Sequence, residues 1–178
     1  PRRGKVLALD METSRGCPFK CRFCYNPFLN RGRWRALKAE IVLERIKMVV
    51  NKYKIKGIWF IDDEFFIDLG RARKIIQGLM GMGLSWTIQG VTVHSVMAMD
   101  NEYLKMLEKS GCEQLNIGAE SGSLRILKMV NKGITPSDIL AVNQKLKPYK
   151  IIPWFYFMIG FPGETESDIE KTIKLVLR

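Results

Sequence analysis

The sequence contains little histidine and little cysteine, and it has no long apolar segment. Of its 178 residues, one is a histidine, His94, and four are cysteines, three of which stand within eight positions. This distribution does not indicate a disulfide framework, so we expect a reducing, cytoplasmic environment. There is no uninterrupted run of about 18 apolar residues, which argues against a transmembrane helix. Residues 1–5 also lack the features of a signal peptide.

The composition is that of an ordinary folded domain. Apolar residues make up 47% of the chain and charged residues 26%, which is not the balance of a disordered protein. A chain of this length is expected to form one domain that buries about 70% of its unfolded surface. Because the chain has no initiator methionine and ends in a helix-like segment, we expect it to be a piece of a longer protein.

The net charge of +11 permits a nucleic-acid-binding interpretation. Lysines and arginines are, however, spread along the helical segments and mixed with apolar residues, which favours solvated helix faces. The densest basic stretch, residues 31–35, directly follows the cysteines. This stretch is a candidate surface for contact with an anionic substrate or cofactor.

The cysteines at positions 17, 21 and 24 are the only dense group of soft metal ligands. Gly16 and Pro18 flank the first of them and favour a bent loop in which three thiols converge. A structural zinc site is closed by four ligands, whereas three thiolates on a four-iron cluster leave one iron open. The alternative is a zinc site or an electron carrier with Cys112 as its fourth ligand. Cys112 begins an apolar strand and is better interpreted as a core residue.

Five apolar segments alternate with segments of helical periodicity. The predicted strands are residues 6–10, 55–61, 84–93, 112–117 and 151–159. The predicted helices are residues 36–53, 69–80 and 123–129, together with helices that begin after Asp100, Thr135 and Thr165. Because several of these strands are apolar on both faces, the pattern predicts an α/β fold with a parallel sheet.

The polar motifs all follow predicted strands. The cysteines, the acidic residues 62–64, the pair 120–121 and the turn 160–164 each lie just after a strand end. Carboxyl-end loops of parallel strands share one edge of the sheet, so these motifs are expected to form one site. Taken singly, the acidic residues 62–64, Glu120 and the turn 160–164 have simpler interpretations as helix caps or turns.

The segment Gly16-Cys17-x3-Cys21-x-Phe23-Cys24 resembles the cluster loop of the radical S-adenosylmethionine (SAM) superfamily. Residues 61–66, 117–123 and 158–165 resemble further motifs of that superfamily, in particular those of the subgroup that usually carries an N-terminal cobalamin-binding domain. The tRNA methylthiotransferases share several of these motifs. The resemblance covers nearly the whole chain, so residues 1–178 are interpreted as a radical SAM core domain whose flanking domains are absent.

The resemblance implies a partial (β/α)6 barrel of parallel strands with outer helices, cut off after its fifth strand. It also implies a 4Fe-4S cluster and the reductive cleavage of SAM to methionine and a 5′-deoxyadenosyl radical. Methyl transfer with cobalamin held by an absent domain, or ring formation, would follow. The implied partners are a small-molecule or lipid substrate and an electron donor such as flavodoxin or ferredoxin. RNA methylthiotransfer is the alternative reaction, and a non-enzymatic iron–sulfur or zinc protein is the alternative class.

Site residues follow from the same resemblance. Those implied to ligate iron are Cys17, Cys21 and Cys24, and those implied to contact SAM are Phe23, Asp62, Asp63, Glu64, Glu120, Ser121, Ile159 and Gly160. Lys132 or Arg125 is a candidate for the methionyl carboxylate. The chain departs from the superfamily in having two aspartates where Gly-Gly-Glu is common. It also lacks the arginine that relatives often carry after the third strand.

Overall fold

The computed structural model describes residues 7–178, so Val6, at the start of the first predicted strand, lies outside the described residues. The strands are β1 (Ala8–Met11), β2 (Ser14–Arg15), β3 (Arg35–Ala36), β4 (Gly57–Phe60), β5 (Ser85–Thr92), β6 (Cys112–Glu120) and β7 (Ile152–Phe157). The helices are α1 (Asn26–Leu29), α2 (Ala39–Tyr53), α3 (Leu69–Leu79), α4 (Val93–Ala98), α5 (Asn101–Lys109), α6 (Leu124–Met129), α7 (Pro136–Leu146) and α8 (Glu166–Val176).

Five strands form one sheet in the order β1-β4-β5-β6-β7, and every neighbouring pair is parallel. Strand order follows chain order, as expected when each crossover passes through a helix on the same face. The sheet and its surrounding helices confirm the predicted α/β fold of parallel strands with outer helices. The short strands β2 and β3 pair separately and antiparallel, bringing the two ends of the cysteine-containing segment together.

One face of the sheet is apolar and lies beneath the helices. Ile58, Trp86 and Leu115 project from β4, β5 and β6 and are completely buried, and Ile46 of α2 and Ile75 of α3 are equally buried. Each such side chain contributes about 1.5–3 kcal/mol through removal of its surface from water. This core fixes the direction of the strands and therefore the positions of the loops at their carboxyl ends.

The helix starts agree with the capping signals in the sequence. Asp100 caps α5 by accepting a hydrogen bond from the Tyr103 amide at 2.7 Å. Thr135 and Asp138 form a reciprocal capping box at the start of α7, with Pro136 as its first residue. No helix within residues 7–178 is long and apolar enough to cross a bilayer.

Several predicted bounds were wrong. Helix α2 begins at Ala39, not at residue 36, and α8 ends at Val176. Strand β6 extends to Glu120, whereas β7 ends at Phe157, so Ile159 and Gly160 lie in the loop that follows. Helices α1 and α4 and the pair β2–β3 were not predicted, because segments of two to six residues are too short to show a period.

Candidate active site

A cavity of about 380 Å³ opens at the carboxyl edge of the sheet. Its wall includes Cys17, Phe23, Cys21, Cys24, Asp62, Asp63, Glu64, His94, Glu120, Lys132 and Tyr156. The structure therefore brings together the cysteines, the acidic triplet and Glu120, as the positions of the strand ends predict. Of the residues described, the wall includes neither Ser121, Ile159 nor Gly160.

The cysteine loop is bent at Gly16, which has a φ of +89°. A Cβ at this position would lie 1.9 Å from the carbonyl oxygen of Arg33, so only glycine fits there. All four cysteines are free. Burial raises the pKa of Cys17 to about 11, so this thiol is protonated at neutral pH. Among residues 7–178, no three histidine, cysteine or acidic side chains are gathered as a site for a single ion.

The turn at residues 129–133 holds the loop on both sides of Cys21. The amide of Arg22 donates to the carbonyl of Val130 at 2.9 Å, and the side-chain amide of Asn131 donates to the carbonyl of Lys20 at 3.0 Å. The guanidinium of Arg22 donates to the carbonyl of Met129 at 3.0 Å. These contacts join residues more than 100 positions apart in the chain, so the second cysteine is placed by tertiary structure.

Aromatic rings flank the same loop. Phe23 makes an edge contact with Phe161 at a centroid distance of 5.6 Å, which joins the loop to a small apolar cluster at the start of the last crossover. Phe19 stacks on His94 at 5.4 Å, and the imidazole Nε2 of His94 lies 3.1 Å from the carbonyl of Gly133. These contacts give His94 a structural role beside the loop.

Asp62 binds the segment that leads into the loop. Its carboxylate accepts hydrogen bonds from the hydroxyl of Thr13 at 2.7 Å and from that of Ser14 at 2.5 Å. The guanidinium of Arg71 donates to the Thr13 hydroxyl at 2.9 Å and to the Thr13 carbonyl at 3.0 Å. Burial raises the pKa of Asp62, and the hydrogen bonds from Ser14 and Thr13 oppose this shift. Its carboxylate therefore already has protein partners.

Asp63 accepts hydrogen bonds from two residues of the cysteine segment. Its carboxylate accepts from the amide of Gly16 at 2.6 Å and from the phenol of Tyr25 at 2.5 Å. Partial burial acts to raise the pKa of Asp63, but the bonds from Tyr25 and Gly16 outweigh it and the net shift is downward. A lowered pKa keeps this carboxylate ionised at neutral pH.

Glu64 is completely buried, and its two carboxyl oxygens differ in their hydrogen bonding. Its Oε1 accepts from the Ser95 hydroxyl at 3.0 Å and from the Phe66 amide at 3.2 Å, while Oε2 has no hydrogen-bond partner among the described residues. Burial raises the pKa of Glu64 to about 7, against the opposing effect of the Ser95 hydrogen bond. A buried carboxyl oxygen without a donor is costly, which marks a position where a ligand can donate.

Glu120 ends β6 in a left-handed conformation with a φ of +66°. Its carboxylate pairs with Lys132 at 2.7 Å, and the two side chains are only 9% and 10% exposed. Gly118 leaves the space for this pair, since a Cβ there would lie 2.5 Å from Glu120 and 2.9 Å from Lys132. The ion pair therefore sets the direction of the Glu120 carboxylate at the cavity wall.

Other sequence candidates lie outside the cavity. The Ser121 hydroxyl is fully buried and contacts Thr172 at 3.2 Å. Arg125 pairs with Asp168 at the start of α8 and donates to the carbonyl of Gly163. The amide of Gly160 donates to Glu164 at 2.6 Å, and Ile159 is exposed. Contacts of Ser121, Ile159 and Gly160 with SAM remain predictions.

Cys112 lies at the amino end of β6 and is buried in the core. It stands eight positions before Glu120 at the cavity, which is roughly 25 Å of extended strand. It is therefore a core cysteine, as expected, and is too distant to complete a four-cysteine site with the loop.

The match to known families agrees with this geometry. The family model described as the Radical SAM superfamily matches residues 11–176. The chain belongs to the radical SAM superfamily. Membership in this superfamily, together with relatives named as methyltransferases, indicates an enzyme.

Curated relatives of this radical SAM chain have different named activities. An uncharacterized methyltransferase of Pyrococcus horikoshii is 36% identical over 164 residues, covering 91% of this chain and 35% of the relative. The bacteriochlorophyllide d C-12(1)-methyltransferase of Chlorobaculum tepidum is 26% identical, covering 96% and 37%. The tRNA-2-methylthio-N(6)-dimethylallyladenosine synthase of Desulforamulus reducens is 32% identical, covering 90% and 37%. The chain thus spans about a third of the length of these relatives.

Solved radical SAM structures share the fold. OxsB, a cobalamin-dependent radical SAM enzyme, superposes with a TM-score of 0.80 and 25% identity, covering 96% of this chain and 26% of that one. TsrM from Kitasatospora setae, a radical SAM methyltransferase, gives a TM-score of 0.81 at 17% identity, covering 96% and 33%. At 17% identity, the similarity to TsrM is evidence for the fold alone, and it supports the partial barrel.

Several side chains that support the cavity wall could not be identified from the sequence. Tyr25, Thr13 and Ser14 bind the two aspartates, and Ser95 binds Glu64. Their partners lie 31 to 49 positions away, so no local spacing reveals them. Tyr156 also lines the cavity. The sequence signal for it is the aromatic run 154–157 in a predicted strand, where every second side chain faces the same side.

Proposed function

We propose that Cys17, Cys21 and Cys24 ligate a 4Fe-4S cluster and that the adjoining cavity binds SAM against the iron that the protein leaves open. One observation carries this proposal. Three thiols, an acidic strand-end loop and Glu120 line the same cavity at the carboxyl edge of a parallel sheet.

The residues present fit these groups. Three thiols without a fourth cysteine in reach are the donor set for a cluster with one open iron. The Oε2 of Glu64 is buried without a hydrogen-bond partner within residues 7–178, and the ammonium of a methionyl group is a donor of opposite charge to a carboxylate. Phe23 and Tyr156 offer apolar surface on the same wall, which suits an adenine ring.

Held by Cys17, Cys21 and Cys24, a reduced cluster would supply the electron for cleavage of the sulfur–C5′ bond of SAM, which would give methionine and a 5′-deoxyadenosyl radical. The protein residues position and shield the reactants. The turn 129–133 and Asp63 fix the cysteine loop, while Lys132 directs the carboxylate of Glu120.

We propose cobalamin-dependent methyl transfer to a small molecule as the overall reaction of the whole protein. Support comes from OxsB, which is described as cobalamin-dependent, and from relatives described as methyltransferases. A redox protein of the flavodoxin or ferredoxin type would deliver the electron. RNA methylthiotransfer is the second candidate, because synthases of that type reach 32% identity.

The test is anaerobic reconstitution of the cluster, followed by addition of SAM and a strong reductant and by measurement of 5′-deoxyadenosine. Wild type is expected to produce it, and Cys21→Ala is expected to lose both iron and product. Cys112→Ala is the matched control, expected to keep both. Absence of product from cluster-loaded wild type would contradict the proposal. If a methyl group is transferred from SAM only when cobalamin is supplied, the result favours cobalamin-dependent methyl transfer over RNA methylthiotransfer.

A further inference from the structure

Asp63 joins the two ends of the segment that carries the three cysteines. One carboxylate oxygen accepts the amide hydrogen of Gly16, the residue before Cys17. The other accepts the phenol hydrogen of Tyr25, the residue after Cys24. The distances are 2.6 Å and 2.5 Å, and hydrogen bonds to an ionised acceptor are shorter than those to a neutral one. A single side chain therefore closes a ring around all three cysteines.

The backbone beneath Asp63 is firmly held. A Cβ at Gly90 would lie 2.1 Å from the carbonyl oxygen of Asp62 and 2.6 Å from that of Asp63, so β5 contacts this loop directly. The amide of Phe65 donates to the carbonyl of Gly90 at 3.2 Å, and the indole of Trp34 donates to the carbonyl of Glu64 at 2.9 Å. The carboxylate of Asp63 thus projects from a fixed support.

Cys21 is held by different contacts. The turn 129–133 bonds to Lys20 and Arg22 on either side of it, and neither bond involves the acidic triplet. The first and third cysteines, in contrast, each adjoin a residue that Asp63 binds. The two supports therefore adjoin different cysteines and can be tested separately, with one backbone link between them, from the amide of Cys24 to the carbonyl of Cys21 at 3.2 Å.

We propose that Asp63 is a positioning residue that fixes Cys17 and Cys24, and that its carboxylate is not a SAM contact. This inference rests on the proposed function in so far as those cysteines hold a cluster. It gives a physical reason for the second aspartate at a place where the superfamily often has glycine. A glycine there has no side chain to bind Gly16 and Tyr25, so the loop would need other contacts.

The first test uses the metal-free, reduced protein. Asp63→Asn keeps the shape of the side chain but replaces the charged acceptor of both donors by a neutral amide with a single acceptor oxygen, so the bonds to Gly16 and Tyr25 are both weakened. Alkylation of Cys17 and Cys24 by N-ethylmaleimide is expected to accelerate about five-fold, with Cys112 unchanged. Trypsin cuts after Lys20 and Arg22 and so separates Cys17 from Cys24 for mass spectrometry. Asp100→Asn, a helix cap at which asparagine serves equally well, is the matched control.

Tyr25→Phe supplies a second variant that leaves the triplet intact. Removing the phenol breaks only the bond beyond Cys24, so faster alkylation is expected at Cys24 and not at Cys17. The reconstituted Asp63→Asn protein is expected to lose iron to a chelator faster than wild type. Equal alkylation rates in Asp63→Asn and wild type would overturn the inference. The inference would also be overturned if the Asp63→Asn protein held a stable cluster whose spectrum no longer changed on addition of SAM, because that result would identify Asp63 as a SAM contact.

The alkylation measurement does not need the cluster. If wild type fails to assemble a 4Fe-4S cluster, the proposed function fails, while the alkylation pattern still decides whether Asp63 holds Cys17 and Cys24.

Discussion

The Nζ of Lys132 lies 2.7 Å from the Oε1 of Glu120, and the two side chains are 10% and 9% exposed. The pair stands in the wall of the cavity, and Glu120 has the left-handed backbone conformation noted above. A charge so well buried is costly when it lacks its partner. The pair therefore makes Glu120 available at the site in one orientation.

Lys132→Met is expected to lower the free energy of unfolding of the metal-free protein by roughly 3 kcal/mol, because it leaves a buried carboxylate unpaired. Glu120→Gln combined with Lys132→Met is expected to be less destabilised than the sum of the single changes. Urea denaturation of the four proteins measures this coupling. Lys174→Met, which breaks the exposed pair with Glu170, is the control and should change stability by less than about 0.5 kcal/mol. Additive single effects would show that the buried pair is not coupled.

Glu64 is expected to make stability depend on pH. Its usual pKa of 4.5 is raised to about 7 by burial, so between these values the folded state holds a proton that the unfolded state has lost. Stability therefore falls as pH rises through this range. Relative to wild type, Glu64→Gln is expected to gain about 2 kcal/mol between pH 5 and pH 8. Denaturation of the metal-free proteins at the two pH values tests this. The exposed Glu102→Gln is the control, and a Glu64→Gln curve parallel to wild type would contradict the assignment.

Asn131 is expected to control access to Cys21. Asn131→Gly tolerates the φ of +54° at this position but removes the hydrogen bond to the carbonyl of Lys20. In the metal-free protein, alkylation of Cys21 should accelerate about five-fold, while Cys17 and Cys112 keep their rates. Peptide mass spectrometry reports each cysteine separately. An equal acceleration at all four cysteines would indicate general unfolding and contradict the local role. The exposed Asn51→Gly, within α2, is the control for the glycine substitution.

The sheet was predictable from the sequence because its strands are short apolar segments bounded by turn residues and alternating with helices. The common position of the motifs after strands was enough to place the cysteines, the triplet and Glu120 at one edge. The cavity in the structure confirms that grouping. Here the physical rule is general, since parallel strands must end at the same edge.

The roles within the triplet were not readable in the same way. Asp62 and Asp63 look alike in the sequence, yet one binds Thr13 and Ser14 while the other binds Gly16 and Tyr25. Glu64 differs from both in having a carboxyl oxygen without a partner in the part of the chain that the structure describes. These differences depend on loops about 40 to 50 residues earlier and on the close approach of Gly90, neither of which has a local signature.

The central claim is that three cysteines leave one iron of a 4Fe-4S cluster open to SAM. The most direct measurement is the electron paramagnetic resonance of the reduced, reconstituted protein before and after addition of SAM labelled with ¹⁵N at its amino group. We predict an altered cluster spectrum and a magnetic coupling between the cluster and the labelled nitrogen. An unchanged spectrum without coupling, in protein shown to contain the full cluster, would contradict the account.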